Sequence, residues 1–176
     1  MRHKVRWIYC LLVGSTLLAA NLGAAADSRN TDENVSAGSS PAKTLSSYFA
    51  ALKQRNKNPG LDIYTPATRR MLEDWVMTAP QMDNLLHTYS LCNAERARID
   101  KRRRYAVIRY PTTRRQCSPW FFEYIDGRWA LDLTMMQRAI RFGRNNAWHF
   151  ERGAPRPYEY AFIDWEFDTK GFPRER

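Results

Sequence analysis

The sequence predicts an α+β protein in which N-terminal helices pack on a meandering antiparallel sheet. Three observations lead there. Between residues 40 and 90, apolar side chains recur three times at the spacing of one helix face, each time behind a start signal. After Glu95 the period changes to the alternation of strands. Asp126-Gly127 then separates two aromatic-rich runs and is the strongest hairpin signal in the chain.

Ser40-Pro41 opens the first helix as an N-cap with a proline behind it, and Leu45, Tyr48, Phe49 and Leu52 form its stripe. Asn58-Pro59-Gly60 is expected to end it. Thr65-Pro66 opens the second, with Met71, Leu72, Trp75 and Val76 as its stripe and Ala79-Pro80 as its close. Thr78 and Gln81 have the spacing of a capping box for the third, followed by Met82, Leu85, Leu86 and Tyr89.

Residues 96–100 and 105–110 read as strands joined by the charged connection Lys101-Arg102-Arg103-Arg104. Residues 111–119 form a second connection. Strands 120–125 and 128–133 flank the Asp126-Gly127 turn, which pairs Tyr124 with Trp129, Phe122 with Leu131 and Trp120 with Leu133. One face of this hairpin is an apolar wall, whereas the other carries Phe121, Glu123, Ala130 and Asp132. Thr134 with Gln137 repeats the capping-box spacing for a short helix that Gly143 stops. Residues 141–157 read as loop with an aromatic knot at Trp148-His149-Phe150, and residues 158–167 as one last strand with aromatics on both sides. The sequence has no internal repeat.

Residues 1–26 read as a secretory signal. Arg2, Lys4 and Arg6 precede an apolar run over 7–22, and Gly23-Ala24-Ala25-Ala26 supplies a cleavage site. An uncleaved anchor is the competing reading, but the run reaches the ~20 residues of a membrane span only by counting Gly14, Ser15, Thr16 and Asn21. Residues 27–39 are polar and small and read as a disordered linker. The expected location is periplasmic or secreted, with no stable membrane span if the signal is cleaved.

Export gives the cysteines their meaning. Cleavage leaves Cys92 and Cys117, an even count that points to one disulfide. A metal would need two further ligands, and no Cys-x-x-Cys or His-x-x-x-His spacing supplies them, so neither metal nor cofactor is expected. Without the signal, 25 basic residues face 18 acidic ones, a net of +7. That balance favours an envelope protein or an anionic lipid or glycan surface as partner. Nucleic acid is the least available anion to an exported chain.

The segment Trp120-Phe121-Phe122-Glu123-Tyr124-Ile125-Asp126-Gly127-Arg128-Trp129-Ala130-Leu131-Asp132-Leu133 resembles the final hairpin of the NTF2-like (cystatin-like) superfamily. The order of helices and hairpins agrees with that superfamily from about Thr44 to Leu133, so residues 40–143 are assigned to an NTF2-like domain. Residues 144–176 lie outside the pattern and form an aromatic extension with one added strand. The resemblance implies a curved antiparallel sheet wrapped over the helices, a cone with a pocket at its open end, which Tyr89, Trp120, Phe122 and Trp129 would line. It implies no function, because the fold hosts enzymes, binders and assembly subunits.

Two functions follow as expectations. The first is a non-catalytic binding or assembly role at the envelope. Arg102, Arg103, Arg104, Arg114 and Arg115 are its candidate anion-binding residues, with solvated turns as the plain alternative. A meander would put these two clusters at opposite ends of the sheet, whereas a folded-back 111–119 segment would join them. The tail aromatics Trp148, Tyr158, Tyr160, Phe162 and Trp165 are candidates for a partner or glycan surface, and Trp75, Trp120 and Trp129 for the core. The second function is an isomerase- or dehydratase-type enzyme. Its acid–base candidates are His87, Asp132, Tyr64 and Tyr89. No serine-nucleophile motif, phosphate loop or zinc signature occurs in the sequence.

Overall fold

A computed structural model describes residues 36–176. The expected signal and most of the expected linker lie outside the described residues. Three helices come first: α1 (Pro41–Lys53), α2 (Pro66–Glu73) and α3 (Ala79–Ser90). Ser40 Oγ caps α1 by accepting from Lys43 N–H, and Thr65 Oγ1 caps α2 by accepting from Thr68 N–H. At α3, Thr78 N–H donates to Gln81 Oε1, the reciprocal bond of a capping box.

Four strands follow as an antiparallel meander: β1 (Arg98–Ile99), β2 (Tyr105–Ile108), β3 (Trp120–Ile125) and β4 (Arg128–Leu131). The Asp126-Gly127 turn sets the register, with Tyr124 opposite Trp129 and Phe122 opposite Leu131. Ala106, Ile108, Trp120, Phe122, Trp129 and Leu131 face the helices and are buried with Leu45, Tyr48, Ile63 and Met82. Cys92 and Cys117 form a disulfide with a Cα separation of 6.1 Å, tying the end of α3 to the approach to β3. Among the described residues no helix is long and apolar enough to cross a membrane.

The opposite face of the sheet is also a core. α4 (Leu133–Ala139), a hairpin of β5 (Ile140–Phe142) with β6 (Trp148–Phe150), and a hairpin of β7 (Trp165–Phe167) with β8 (Pro173–Glu175) cover it. Val107 and Phe121 reach into this layer and meet Met135, Ile140, Trp148, Phe150, Tyr158, Phe162 and Trp165, all buried.

Several expectations are corrected. α1 stops at Lys53, five residues before Asn58. Arg55 takes φ +58°, and Asn56 and Arg55 N–H return to Ala51 and Leu52 C=O, a Schellman closure. α2 stops at Glu73 because Thr78 must be extended to cap α3, which leaves Trp75 37 % exposed rather than in the core. The linker ends earlier than residue 39, since Gly38 already pairs with Trp129.

β4 stops at Leu131, so Trp120 has no ladder partner in Leu133. Asp132, not Thr134, caps α4 and accepts from Met135 N–H at 3.0 Å. Residues 141–157 are not loop throughout. Asn145 and Asn146 take φ +58° and +54° and turn β5 back on β6. The single strand expected over 158–167 is a 3-10 turn, Glu159–Phe162, followed by β7. Tyr158, Ala161, Phe162 and Trp165 share the i, i+3, i+4, i+7 spacing of a helix face, and all four are buried. The extension therefore holds three strands beyond β5 and supplies six of the eleven buried residues of the second core, Trp148, Phe150, Tyr158, Ala161, Phe162 and Trp165.

Candidate functional site

A strand at the border of a sheet presents unpaired N–H and C=O groups, and the two borders here are treated differently. At β4 every outward group of Trp129 and Leu131 is satisfied. Trp129 N–H donates to Gly38 C=O and Leu131 N–H to Ile63 C=O. Trp129 C=O accepts from Thr44 Oγ1 at 2.7 Å, and Leu131 C=O accepts from Thr65 N–H and Thr68 Oγ1.

At β1 the Tyr160 hydroxyl donates to Arg98 C=O at 3.2 Å, but among the described residues nothing pairs with the N–H and C=O of Ile99. Asp100 N–H donates to Tyr105 C=O, so the alternation of an antiparallel ladder turns the N–H and C=O of Ile99 away from β2. Beside that edge lies a groove of about 450 Å³ between α1 and residues 94–99. Pro41, Leu45, Phe49, Ala97, Ile99 and Ile108 form its apolar lining. Ile99 is 41 % exposed there.

The groove wall is held from behind by Arg109, whose side chain is only 3 % exposed. Its guanidinium donates to Glu95 Oε2 at 2.7 and 3.1 Å, to both oxygens of Asp164 at 2.7 and 3.0 Å, and to Ala161 C=O at 2.7 Å. It also lies 4.3 Å from the centre of the Trp165 ring. Arg98, on the face of β1 away from the groove, makes a two-point pair with Asp164. The hydrogen bond from Arg109 holds the Asp164 carboxyl down to about 2.

The five expected anion-binding arginines do not come together. Arg102, Arg103 and Arg104 sit in the β1–β2 turn, whereas Arg114 and Arg115 lie past the other end of β2. The meander fixes that separation. Arg115 lies over the Phe172 ring and Arg104 over the Tyr105 ring. Asp100 organises its own turn. Burial alone would raise its pKa, but the N–H groups of Tyr105, Arg102 and Arg104 outweigh that and lower it.

Tyr89, Trp120, Phe122 and Trp129, expected around a cone pocket, are packed members of the helical-side core, and none lines the β1 groove. Tyr89 O–H donates to Ser118 C=O at 2.9 Å, and Trp120 Nε1–H donates to Tyr110 Oη at 3.1 Å. Tyr64 borders a hollow of about 30 Å³ beneath Trp75 and Met77, room for a water rather than a substrate. His87 is exposed on α3. The tail aromatics Trp148, Tyr158, Phe162 and Trp165 are buried core rather than a surface. Tyr160, half-buried, donates its hydroxyl to Tyr105 C=O.

Asp132 has an acid–tyrosine neighbourhood, on the opposite face of the sheet from the groove. Oδ2 accepts from Tyr158 O–H at 3.1 Å, and Oδ1 accepts from Thr134 Oγ1 and Met135 N–H. Glu123 sits diagonally across the β3–β4 ladder on the same face. Burial first, and the Asp132 charge second, push the Glu123 carboxyl up, and both causes raise the Tyr158 hydroxyl in the same order. Among the described residues no group of His, Cys, Asp and Glu is arranged to hold a metal ion.

Fold and groove together define, among the described residues, an α+β protein whose four-stranded sheet has its β1 edge open beside an apolar cleft. No family model matches this chain, and neither a curated protein nor a solved structure does.

The open edge was missed from the sequence. Its signal was faint: a strand of two residues, Arg98–Ile99, with an isoleucine next to a charged turn.

Proposed function

We propose that this protein is an exported, non-catalytic binding or assembly subunit of the cell envelope, built on an NTF2-like core, and that it receives an envelope protein at the groove beside β1. One observation carries the reading: the β4 edge has all its outward backbone groups satisfied internally, while among the described residues nothing pairs with the outward groups of Ile99 on the β1 edge, next to an apolar cleft. Edge strands left open beside a groove take extended segments, with main-chain bonds supplying affinity and the cleft supplying side-chain choice. The helix-helix-helix-meander order supports the NTF2-like core.

The enzyme reading rests on the Asp132–Tyr158 bond with Glu123 alongside. Its weakness is that both Asp132 oxygens already serve α4 and Tyr158.

Photo-crosslinking in the producing cell tests the proposal, with a benzoylphenylalanine at position 99 and, as control, at 87. A discrete adduct to one envelope protein from position 99 and none from position 87 is expected. Equal labelling from both, or none from position 99, removes the groove as the working surface. A purified mature chain that begins at Asp27 would match the expected export, and one retaining Met1 would favour the anchor.

A further inference from the structure

We propose that the segment received at β1 is an extended strand of a partner protein, apolar at alternate residues and acidic at one flank. This rests on the groove being the docking surface and names the chemistry of what docks there.

The charge around the edge supports it. Each nearby carboxylate is already engaged within the chain: Glu95 by Arg109, Asp164 by Arg98 and Arg109, and Asp100 by the backbone of its own turn. Arg96, Lys101, Arg102 and Arg103 have no acidic partner among the described residues, Arg104 feels the charge of Asp100, and all five are exposed. Arg96 lines the groove itself, and the other four follow directly after β1. A strand lying along Ile99 therefore runs from an apolar cleft into a turn where four cations surround the single carboxylate of Asp100.

Two isoleucines are exposed in this part of the molecule. Ile99 faces the groove at 41 % exposure, and Ile163, at 68 %, adjoins the Asp164 that holds Arg98. A second copy of this chain is a poor occupant, because antiparallel edge pairing would set residues 101–104 against residues 94–97 of the other copy, where Arg96 adds a cation and Glu95 is already held by Arg109. An anionic bilayer would engage the cations but leave the cleft and the Ile99 backbone groups unused.

The test is titration of the labelled mature protein, followed by amide chemical shifts. Four probes are used: a Val-Thr-Val-Thr-Val peptide flanked by Asp-Glu-Asp, the same peptide flanked by Ser-Asn-Ser, Asp-Glu-Asp joined to Gly-Ser, and vesicles of anionic phospholipid. The acidic strand peptide should shift Ala97 and Ile99 and bind on the order of tenfold more tightly than the neutral one at low salt. That margin should vanish at high salt and in the variant Arg102→Ser, Arg103→Asn, Arg104→Ser, whose binding of the neutral peptide stays at the parent value. Asparagine is chosen at 103 because that residue has φ +53°. Should the triple variant lose its fold by circular dichroism, Arg102→Ser alone should still narrow the margin.

Equal affinity for the two strand peptides overturns the acidic flank and leaves the groove reading standing. Silence from both strand peptides overturns the groove reading itself. Binding of the Gly-Ser probe as tight as that of the acidic strand, or vesicle binding that shifts residues 101–104 without Ile99, overturns the strand and leaves a plain anion site.

Discussion

Phe121 and Phe122 are neighbours in the chain and fully buried, yet they belong to different interiors. Phe122 points at three helices, each started by its own cap. Phe121 points at the layer built from residues 133–176, where order comes from tertiary contact more than from local signals. A sheet buried on both faces behaves as the shared middle of a three-layer molecule. Neither outer layer is an appendage.

The largest expected effect sharpens that equality. Phe122→Ala and Phe121→Ala should each cost about 3–5 kcal/mol in urea unfolding, since each removes a fully buried ring. A Phe121→Ala cost below about 1 kcal/mol would demote the second layer to a loose cover.

Arg109→Met comes next, at about 3 kcal/mol, because Glu95 and Asp164 lose their shared cation. The acid limb of stability should flatten in the same variant. Asp164 is held near 2, below the ~3.9 of an unfolded aspartate. Its contribution is therefore full above pH ~4 and is lost as pH falls toward 2. With its side chain 42 % exposed, solvent screening keeps that share to about 1 kcal/mol. An unchanged acid limb would show that Arg109 does not set the Asp164 carboxyl.

Removing the bridge by Cys92→Ser with Cys117→Ser should cost about 3 kcal/mol, for a closed loop spanning 25 residues. The loss falls on the helical side, so the variant should keep the near-ultraviolet signal of Trp148 and Trp165 until global unfolding. Loss of that signal first would break the division into two layers.

Glu123→Gln is the smallest effect and has the opposite sign. The native Glu123 carboxyl is raised, so folding favours its protonated form, and ionisation weakens the native state as pH climbs from the unfolded value through the native one. The glutamine variant should be more stable at pH 7 by less than about 1 kcal/mol and indistinguishable at pH 3. Destabilisation at pH 7 would give the Glu123 charge a partner that the second layer does not display.

The two layers also differ in how far the sequence revealed them. The helices around Ser40, Thr65 and Thr78 were legible because a cap and the stripe after it lie within one short window. The β3–β4 hairpin was legible because two residues set its register. In the second layer the helical spacing of Tyr158, Ala161, Phe162 and Trp165 was hidden by Tyr160, Ile163 and Phe167, which made alternation look equally good. Asp132 was read as a strand residue or a catalytic base, yet a carboxylate three positions ahead of a free N–H is also a cap. The basic residues were legible, but their roles were not. Arg109 is buried and Arg102 exposed, a contrast only the fold decides. The open edge was the least legible feature, because what seals the other edge comes from Gly38 and Ile63, far from β4 in sequence.

Arg109 has a consequence for timing. One guanidinium fixes Glu95 in the groove wall, Asp164 and Ala161 in the tail, and stacks on Trp165. The wall cannot yield without stranding a charge in the interior, so the cleft is already shaped before anything enters it. Under the proposed docking, an arriving strand would order itself and little else, and the entropy of association would fall on the guest rather than the host.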